Sequence, residues 1–198
     1  RAQVIHNDWN PDNLVLDEHG RLAGILDFGD VLHGPRVMDL AVAAAYQVLG
    51  LPSGEAAIVA LSEFVAGYDT ALGPENRLGD DELSVLVDLV LGRLAQSRVV
   101  GLWRAESHPE NRDYILHHAA PVAAALHGAG SLGEIALRDL AQVEQRLRDA
   151  CGRADLVAPA ATVDLAARRR QVLAPGLRIS YREPLHPVRG EGVSLFDA

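Results

Sequence analysis

The sequence predicts an α+β fold that is mainly α-helical and carries one small β-hairpin near its N terminus. Two short apolar runs, "NLVL" and "LAGILDF", flank "DEHGR", whose Gly20 suits a tight turn with positive φ. From Asp39 onward the apolar residues recur with helical spacing, and alanine and leucine dominate. These observations place strand, turn and strand first, and a series of helices after them.

Glycine and proline divide the helical part of the chain into segments. We predict helices at 39–49, 54–72, 80–106, 110–127, 131–151 and 163–173. Ser131 and Glu134 form a capping box at the start of the fifth helix. Pro121 is a candidate kink in the fourth. Residues 174–198 have extended character.

The amino-acid composition excludes several classes of function and says less about the fold. A 198-residue chain with 48% hydrophobic residues can bury a sizeable core, and its net charge of −9 argues against nonspecific nucleic-acid binding. No apolar run is long enough for a membrane span, and the start shows no signal peptide. Cys151 is the only cysteine, which excludes an intramolecular disulfide and suits the cytoplasm. All 18 basic residues are arginine, so this chain supplies no lysine nucleophile or phosphate clamp.

The residues "HNDWNPDN" at 6–13 are the first candidates for chemistry. If the hairpin turn centres on Gly20, Asn13 faces Asp27, and both lie near Asp8. An amide oxygen beside a carboxylate makes a hard oxygen site suited to Mg²⁺ carrying phosphates. A second carboxylate nearby is placed to orient a hydroxyl group and accept its proton.

This arrangement resembles a known family. The pattern H-x-D-x4-N at 6–13, followed by "ILDFG" at 25–29, resembles the catalytic and metal-binding loops of the protein-kinase-like superfamily. With "GPRVMDLAVA" it is similar to the aminoglycoside phosphotransferase and choline kinase branch. Protein kinases usually carry a lysine two residues after the catalytic aspartate, whereas this chain has Asn10. A helix then begins at 39–41 and leaves no room for a protein-substrate activation segment, which favours a small-molecule acceptor.

The resemblance implies a protein-kinase-like C-terminal lobe over residues 1–152, and it implies roles for five residues. Asp8 would be the catalytic base, and Asn13 and Asp27 would bind the Mg²⁺ that accompanies ATP or GTP. His6 and Asp39 would brace the catalytic loop by hydrogen bonds.

Other polar residues are weaker candidates. Asp30 could receive an ammonium group of the substrate. Arg93 and Arg104 lie three turns apart on one predicted helix, where they could meet a phosphate or carboxylate; a solvated face is the usual alternative. The adjacent His117 and His118 are expected to point apart on a helix as surface residues, not to form a metal site.

The resemblance covers only the C-terminal lobe. The glycine-rich loop and strand lysine of an N-terminal lobe do not precede Arg1, and the chain has no lysine at all. We therefore expect the chain to be part of a longer parent protein and to be inactive alone.

The end of the chain suggests a second domain. Residues 153–162 have the composition of a linker, and "RISYREPLHPVRGEGVSLFDA", within 163–198, resembles the opening strand of class III pyridoxal-phosphate-dependent aminotransferases. The lysine that binds pyridoxal phosphate covalently in that fold would lie beyond Ala198. A kinase lobe followed by such a strand resembles bacterial fusions related to hydroxylysine kinase and ethanolamine-phosphate phospho-lyase. The resemblance implies phosphorylation of a hydroxylated amine or amino acid, which a pyridoxal enzyme then processes because phosphate is the better leaving group.

Two alternatives stay open at this point. An aminoglycoside phosphotransferase conferring antibiotic resistance would need a strongly acidic acceptor pocket, since its acceptors are polycations. A pseudokinase-like module regulating the aminotransferase would lack the lysine and glycine-rich loop upstream. The intact Asp8, Asn13 and Asp27 argue against this second alternative, because a binding module has no need of all three.

Overall fold

The structure, a computed structural model, describes residues 1–153 together with the two strands Pro187–Glu191 and Ser194–Asp197. Short strands and two 3-10 turns lie in the first 35 residues, and helices separated by loops and two further 3-10 turns follow up to Arg153. The strands are β1 (Ala2–Ile5), β2 (Leu14–Leu16), β3 (Leu22–Ile25), β4 (Leu32–Pro35), β5 (Pro187–Glu191) and β6 (Ser194–Asp197). The helices are α1 (Arg36–Gln47), α2 (Gly54–Leu72), α3 (Asp80–Ser107), α4 (Arg112–Ile115), α5 (Ala119–Leu126) and α6 (Leu132–Arg153). The 3-10 turns are Pro11–Asn13, Phe28–Asp30, Pro74–Asn76 and Pro109–Asn111.

Strands β2 and β3 form the predicted hairpin, but its register differs by one residue from the prediction. The turn closes where the Asp17 N–H donates to the Arg21 carbonyl at 2.9 Å, and Gly20 has φ 74°. The turn is therefore centred one residue before Gly20. As a result Asn13 lies opposite Leu26, whose N–H donates to the Asn13 carbonyl at 2.8 Å, and not opposite Asp27.

A second antiparallel pair, β1 with β4, was not among the predicted elements. Ala2 pairs with Pro35, and Ile5 pairs with Leu32. The loop after β1 and the 3-10 turn before β4 consequently leave the same end of this sheet. That placement holds the two halves of the sequence motif side by side.

Most predicted helices are confirmed, with α2 at the predicted bounds and α1 beginning three residues early. The single helix predicted over 110–127 is wrong, because a turn at 116–118 separates α4 from α5. Pro121 lies in the first turn of α5, where a missing N–H leaves no broken hydrogen bond. Proline therefore helps to begin a helix here and does not kink a longer one.

Helix α6 is interrupted at Asp139, whose φ of −153° and ψ of 75° are not helical. The Asp139 carboxylate accepts the Gln142 N–H at 3.0 Å and so caps the second segment. At the start of α6 the Ser131 hydroxyl accepts the Glu134 N–H at 3.1 Å, which confirms the first half of the predicted capping box.

The core lies between α1, α2, α3 and α6. Its fully buried side chains come from all four helices and include Leu40, Ile58, Leu61, Leu86, Val90, Val143 and Leu147. Gly54 permits a close approach of α2 to the segment before α6, where its N–H donates to the Gly130 carbonyl at 2.7 Å. This core supports α1 and α3, which carry side chains of the site described next.

The C-terminal strands β5 and β6 pair antiparallel, in keeping with the extended character predicted for that region. The predicted helix at 163–173 and the predicted linker beyond Arg153 lie outside the described residues. Among the described helices, none combines the length and apolar character needed to cross a lipid bilayer.

Candidate active site

The loop that joins β1 to the 3-10 turn at Pro11–Asn13 is anchored by the buried His6. The His6 Nε2–H donates to the Leu26 carbonyl at 2.8 Å, and Nδ1 accepts the Asp8 N–H at 3.3 Å. One neutral tautomer satisfies both contacts. His6 therefore links the loop that carries Asp8 to the residue just before Asp27.

Asp39, in the first turn of α1, holds the same loop on both sides of Asp8. Its Oδ1 accepts the Asn7 N–H and its Oδ2 accepts the Trp9 Nε1–H, both at 2.7 Å. Asn7 has φ 65°, a left-handed conformation that asparagine tolerates better than most residues. These contacts hold the loop on both sides of Asp8, and the bracing of a catalytic loop by His6 and Asp39 stays a prediction.

The Asp8 carboxylate is surrounded by donors from three side chains. Its Oδ2 accepts from Asn10 Nδ2 at 2.9 Å and from Asn13 Nδ2 at 3.1 Å. Its Oδ1 accepts from the Arg93 guanidinium of α3 at 2.8 Å, and both side chains are about one-fifth exposed. The contacts fix the carboxylate and leave it accessible from one side.

Asn13 and Asp27 lie at the adjoining ends of β2 and β3. Both Asn13 side-chain contacts to Asp8 use its Nδ2, so its amide oxygen stays available for a ligand. Asp27 has φ 57° and caps the next 3-10 turn, with its Oδ1 accepting the Gly29 N–H at 3.3 Å. Amide and carboxylate oxygens of this kind fit a hard divalent cation such as Mg²⁺.

These residues face one cavity of about 440 Å³ between the loops and the helices. Its loop side is rich in carboxylates and amides, and its helix side is basic. Arg93 and Arg104, which lie three turns apart on α3, both line it. The charged and amide lining comprises Asp8, Asn10, Asp12, Asn13 and Asp27 from the loops, and Arg93, Gln96, Arg98 and Arg104 from α3.

Arg93 lies between the loop that carries Asp8 and Tyr46 of α1. Burial raises the pKa of Tyr46, and the neighbouring Arg93 opposes that rise. The Arg93 Nε is buried and has no hydrogen-bond partner within residues 1–153. Arg93 thus orients Asp8 through one end of its guanidinium and keeps a donor unused.

The structure does not bring every predicted residue to this cavity. Asp30 is exposed at the end of the 3-10 turn Phe28–Asp30 and is not among the lining residues. Conversely, the sequence did not identify Asn10 as a partner of Asp8 or Tyr46 as a cavity residue. The only sequence signal for Asn10 was its position before Pro11, where asparagine commonly caps a turn. Nothing in the sequence pointed to Tyr46 as a cavity residue except its position in a predicted helix.

The interpretation of His117 and His118 as residues that point apart on a helix is wrong. Both lie at the turn between α4 and α5, where their ring centroids are 3.6 Å apart. Both line the cavity opposite Asp12. Burial, and then the proximity of His117, lower the pKa of His118.

Sequence comparisons relate this chain to phosphotransferases. Residues 1–83 match the model of the phosphotransferase enzyme family named APH. The chain is 28% identical over 120 residues to hydroxylysine kinase of Danio rerio, an alignment that covers 59% of this chain and 32% of that protein. It is 27% identical over 124 residues to hydroxylysine kinase of Mus musculus, covering 59% of this chain and 31% of the relative.

The chain therefore spans about a third of the length of these curated relatives. No solved structure matches it. The family match covers the loops of the site, and the aligned relatives are hydroxylysine kinases.

Proposed function

We propose that this chain carries the catalytic and metal-binding loops of a kinase that phosphorylates a hydroxyl group of a small hydroxylated amine or amino acid. ATP or GTP would be the phosphoryl donor, with Mg²⁺. The observation that carries the proposal is the convergence of Asp8, Asn13 and Asp27 on one cavity, with Arg93 fixing Asp8. The similarity to hydroxylysine kinases supports the class of acceptor.

The Asn13 amide oxygen and the Asp27 carboxylate would hold Mg²⁺. When bound, the ion would neutralise charge on the nucleotide phosphates. The donor set fits, because the Asn13 oxygen accepts no hydrogen bond within residues 1–153 and Asp27 is exposed to the cavity. His6 fixes the spacing of the two ligands by tying their loops together.

Asp8 would orient the acceptor hydroxyl and take its proton. As the acceptor oxygen forms a bond to the γ-phosphorus, the bond from that phosphorus to the nucleoside diphosphate breaks, and the hydroxyl proton passes to a carboxylate oxygen of Asp8. Phosphoryl transfer depends mainly on alignment and charge neutralisation. The hydrogen bonds from Asn10, Asn13 and Arg93 supply that alignment before substrate arrives.

The charge of the helix side favours an acceptor that carries an anionic group. Arg93, Arg98 and Arg104 line it, and within residues 1–153 no carboxylate of α3, α4 or α5 does. Arginine binds carboxylates well because its planar guanidinium can donate two parallel hydrogen bonds. A hydroxylated amino acid fits this lining better than a polycationic aminoglycoside.

We also propose that the parent protein couples the kinase to a pyridoxal-phosphate-dependent domain of the aminotransferase or phospho-lyase type. The support is the motif in residues 163–198. Stoichiometric binding of pyridoxal phosphate by the intact gene product would be the first check. Failure to bind it would remove this part of the proposal and leave the kinase part standing.

The test of the kinase proposal is an acceptor screen with the intact gene product that carries this chain. Nucleoside diphosphate release from ATP and GTP would be followed with hydroxylysine, ethanolamine and an aminoglycoside, with Mg²⁺ and with a chelator. We expect Mg²⁺-dependent phosphorylation of hydroxylysine or ethanolamine, and inactivity of the 198-residue chain alone.

Two variants make the screen specific. Asp8→Asn removes the base and should lower kcat by about 10²–10⁴-fold. Asp88→Asn, on the exposed outer part of α3, is the matched control and should keep full activity. Phosphorylation of the aminoglycoside alone would refute the acceptor class, and inactivity with every acceptor would favour a non-catalytic module.

A further inference from the structure

We propose that Asp12, His117 and His118 form a binding site for a divalent transition-metal ion such as Zn²⁺, separate from the Asn13–Asp27 pair. Each of the three residues offers one ligand atom, and these atoms lie within 4.8 Å of one another. Asp12 is more than 100 residues from the histidines in the chain, so the cluster is a product of the fold. The proposal does not depend on kinase activity.

The carboxylate partner is held in place by its own loop. Asp12 lies in the 3-10 turn Pro11–Asn13, and its N–H donates to Asn10 Oδ1 at 2.9 Å. Within residues 1–153, no group donates a hydrogen bond to the Asp12 carboxylate. The backbone of Asp12 is fixed by this contact, and its half-buried carboxylate, which accepts from no donor in that part of the chain, is available to ligate an ion.

The histidine pair has the geometry of two neutral ligands. Their ring centroids are 3.6 Å apart with planes tilted by 44°, a separation at which two imidazolium cations would repel each other. The His117 Nδ1–H donates to the Tyr114 carbonyl, which leaves Nε2 free as the ligand atom. Zinc-bound histidines usually donate their second ring N–H to such a backbone carbonyl.

The donor set selects the class of ion. Two imidazole nitrogens with one carboxylate suit Zn²⁺, Co²⁺ or Ni²⁺, whereas Mg²⁺ prefers oxygen ligands throughout. Three protein ligands leave a fourth position of a tetrahedral site for water or a cavity ligand. Because all three residues line the cavity, a bound ion would join the α4–α5 turn to the loop that precedes Asn13.

The test is a calorimetric titration of the chelator-treated chain with ZnCl₂. We expect one equivalent to bind with micromolar or tighter affinity, and each of Asp12→Asn, His117→Gln and His118→Gln to weaken binding at least tenfold. His19→Gln is the matched control, since His19 also lies beside a carboxylate, Glu18 at 3.5 Å, but on an exposed turn. It should leave the affinity unchanged.

A second measurement identifies the ligands even if one variant folds poorly. The visible absorption of Co²⁺ bound to the unsubstituted chain should show tetrahedral or five-coordinate nitrogen ligation, and a large excess of Mg²⁺ should not displace it. Binding that is equally tight in His117→Gln and His118→Gln would overturn the proposal. So would Zn²⁺ affinity that excess Mg²⁺ abolishes, because that result would assign the ion to Asn13 and Asp27.

Discussion

A buried ion pair between α1 and α3 supports the helices that carry the site, and its removal gives a quantitative test. Arg36, the first residue of α1, is only 2% exposed. Its Nε donates to Glu82 Oε1 at 2.7 Å, and its NH2 group donates to Oε2 at 2.6 Å. The same guanidinium also donates to the carbonyls of Asn76 and Arg77, at 2.6 and 2.8 Å. Glu82→Gln would leave this buried cation without its counter-charge.

The magnitude follows from the carboxyl group. Hydrogen bonds from Arg36 lower the pKa of Glu82 from 4.5 to about 2, and the Gly79 N–H contributes in the same direction. At about 1.4 kcal/mol for each pKa unit, this difference corresponds to about 3 kcal/mol of stability. Breaking one side of a buried pair typically costs about 3–5 kcal/mol, which agrees. Glu82 is 7% exposed, so solvent screening reduces the value little.

The pH dependence has a definite sign. The pKa of Glu82 is lower in the folded state than in the unfolded state, so the stabilisation is complete above the unfolded value of 4.5. It is lost as the pH falls from there to about 2, where the folded carboxylate also becomes protonated. The difference between the unsubstituted chain and Glu82→Gln should therefore shrink over this range.

Urea denaturation of both proteins, at neutral pH and at a series of acidic pH values, measures this difference. Glu55→Gln is the control, because Glu55 forms an exposed ion pair with Arg146 at 2.6 Å that should contribute less than about 1 kcal/mol. A loss below about 1 kcal/mol for Glu82→Gln at neutral pH would refute the reasoning. A loss of about 3 kcal/mol that is independent of pH would show that packing, and not charge, is responsible.

Two further predictions concern packing and thiol chemistry. Gly54→Ala should destabilise the fold by about 1–3 kcal/mol, because a Cβ there would lie 2.5 Å from the Gly130 carbonyl oxygen and 2.6 Å from the Ser131 carbonyl carbon. On the same helix, a Cβ added at Gly67 would meet no atom within 4 Å, so Gly67→Ala should stabilise the fold by about 1 kcal/mol. Thermal denaturation measures both variants, and equal effects of the two changes would contradict this account. Burial raises the pKa of Cys151 to about 11. A disulfide reagent should therefore modify this thiol slowly at neutral pH in the native chain and rapidly in denaturant. Fast labelling of the native chain would show that the end of α6 opens.

Local patterns were sufficient where the deciding contacts lie close together in the chain. The hairpin could be predicted because a turn near Gly20 separates two short apolar runs, and only its register was wrong by one residue. The bounds of α2 were correct because Ser53 caps its start and Gly73 follows its end. The prediction of one helix over 110–127 was wrong because Pro121 was interpreted as a kink, whereas proline is equally well accommodated in the first turn of a helix.

Long-range contacts could not be predicted in this way. The β1–β4 pair joins strands about thirty residues apart, without a short turn as a signal. Arg93 reaches Asp8 across 85 residues, and its choice of that partner depends on how α3 packs against α1. The approach of Asp12 to His117 likewise depends on the break between α4 and α5.

The sequence by itself determined the polar side chains that the loops of the site offer: the carboxylates of Asp8 and Asp27 and the amide of Asn13. These residues lie within 6–39, where short loops and one hairpin limit how far apart they can be. Only the tertiary structure decided which helix faces them. Burial of the apolar faces of α1 and α3 turned Arg93 and Arg104 toward the loops, and thereby made the helix side of the cavity basic.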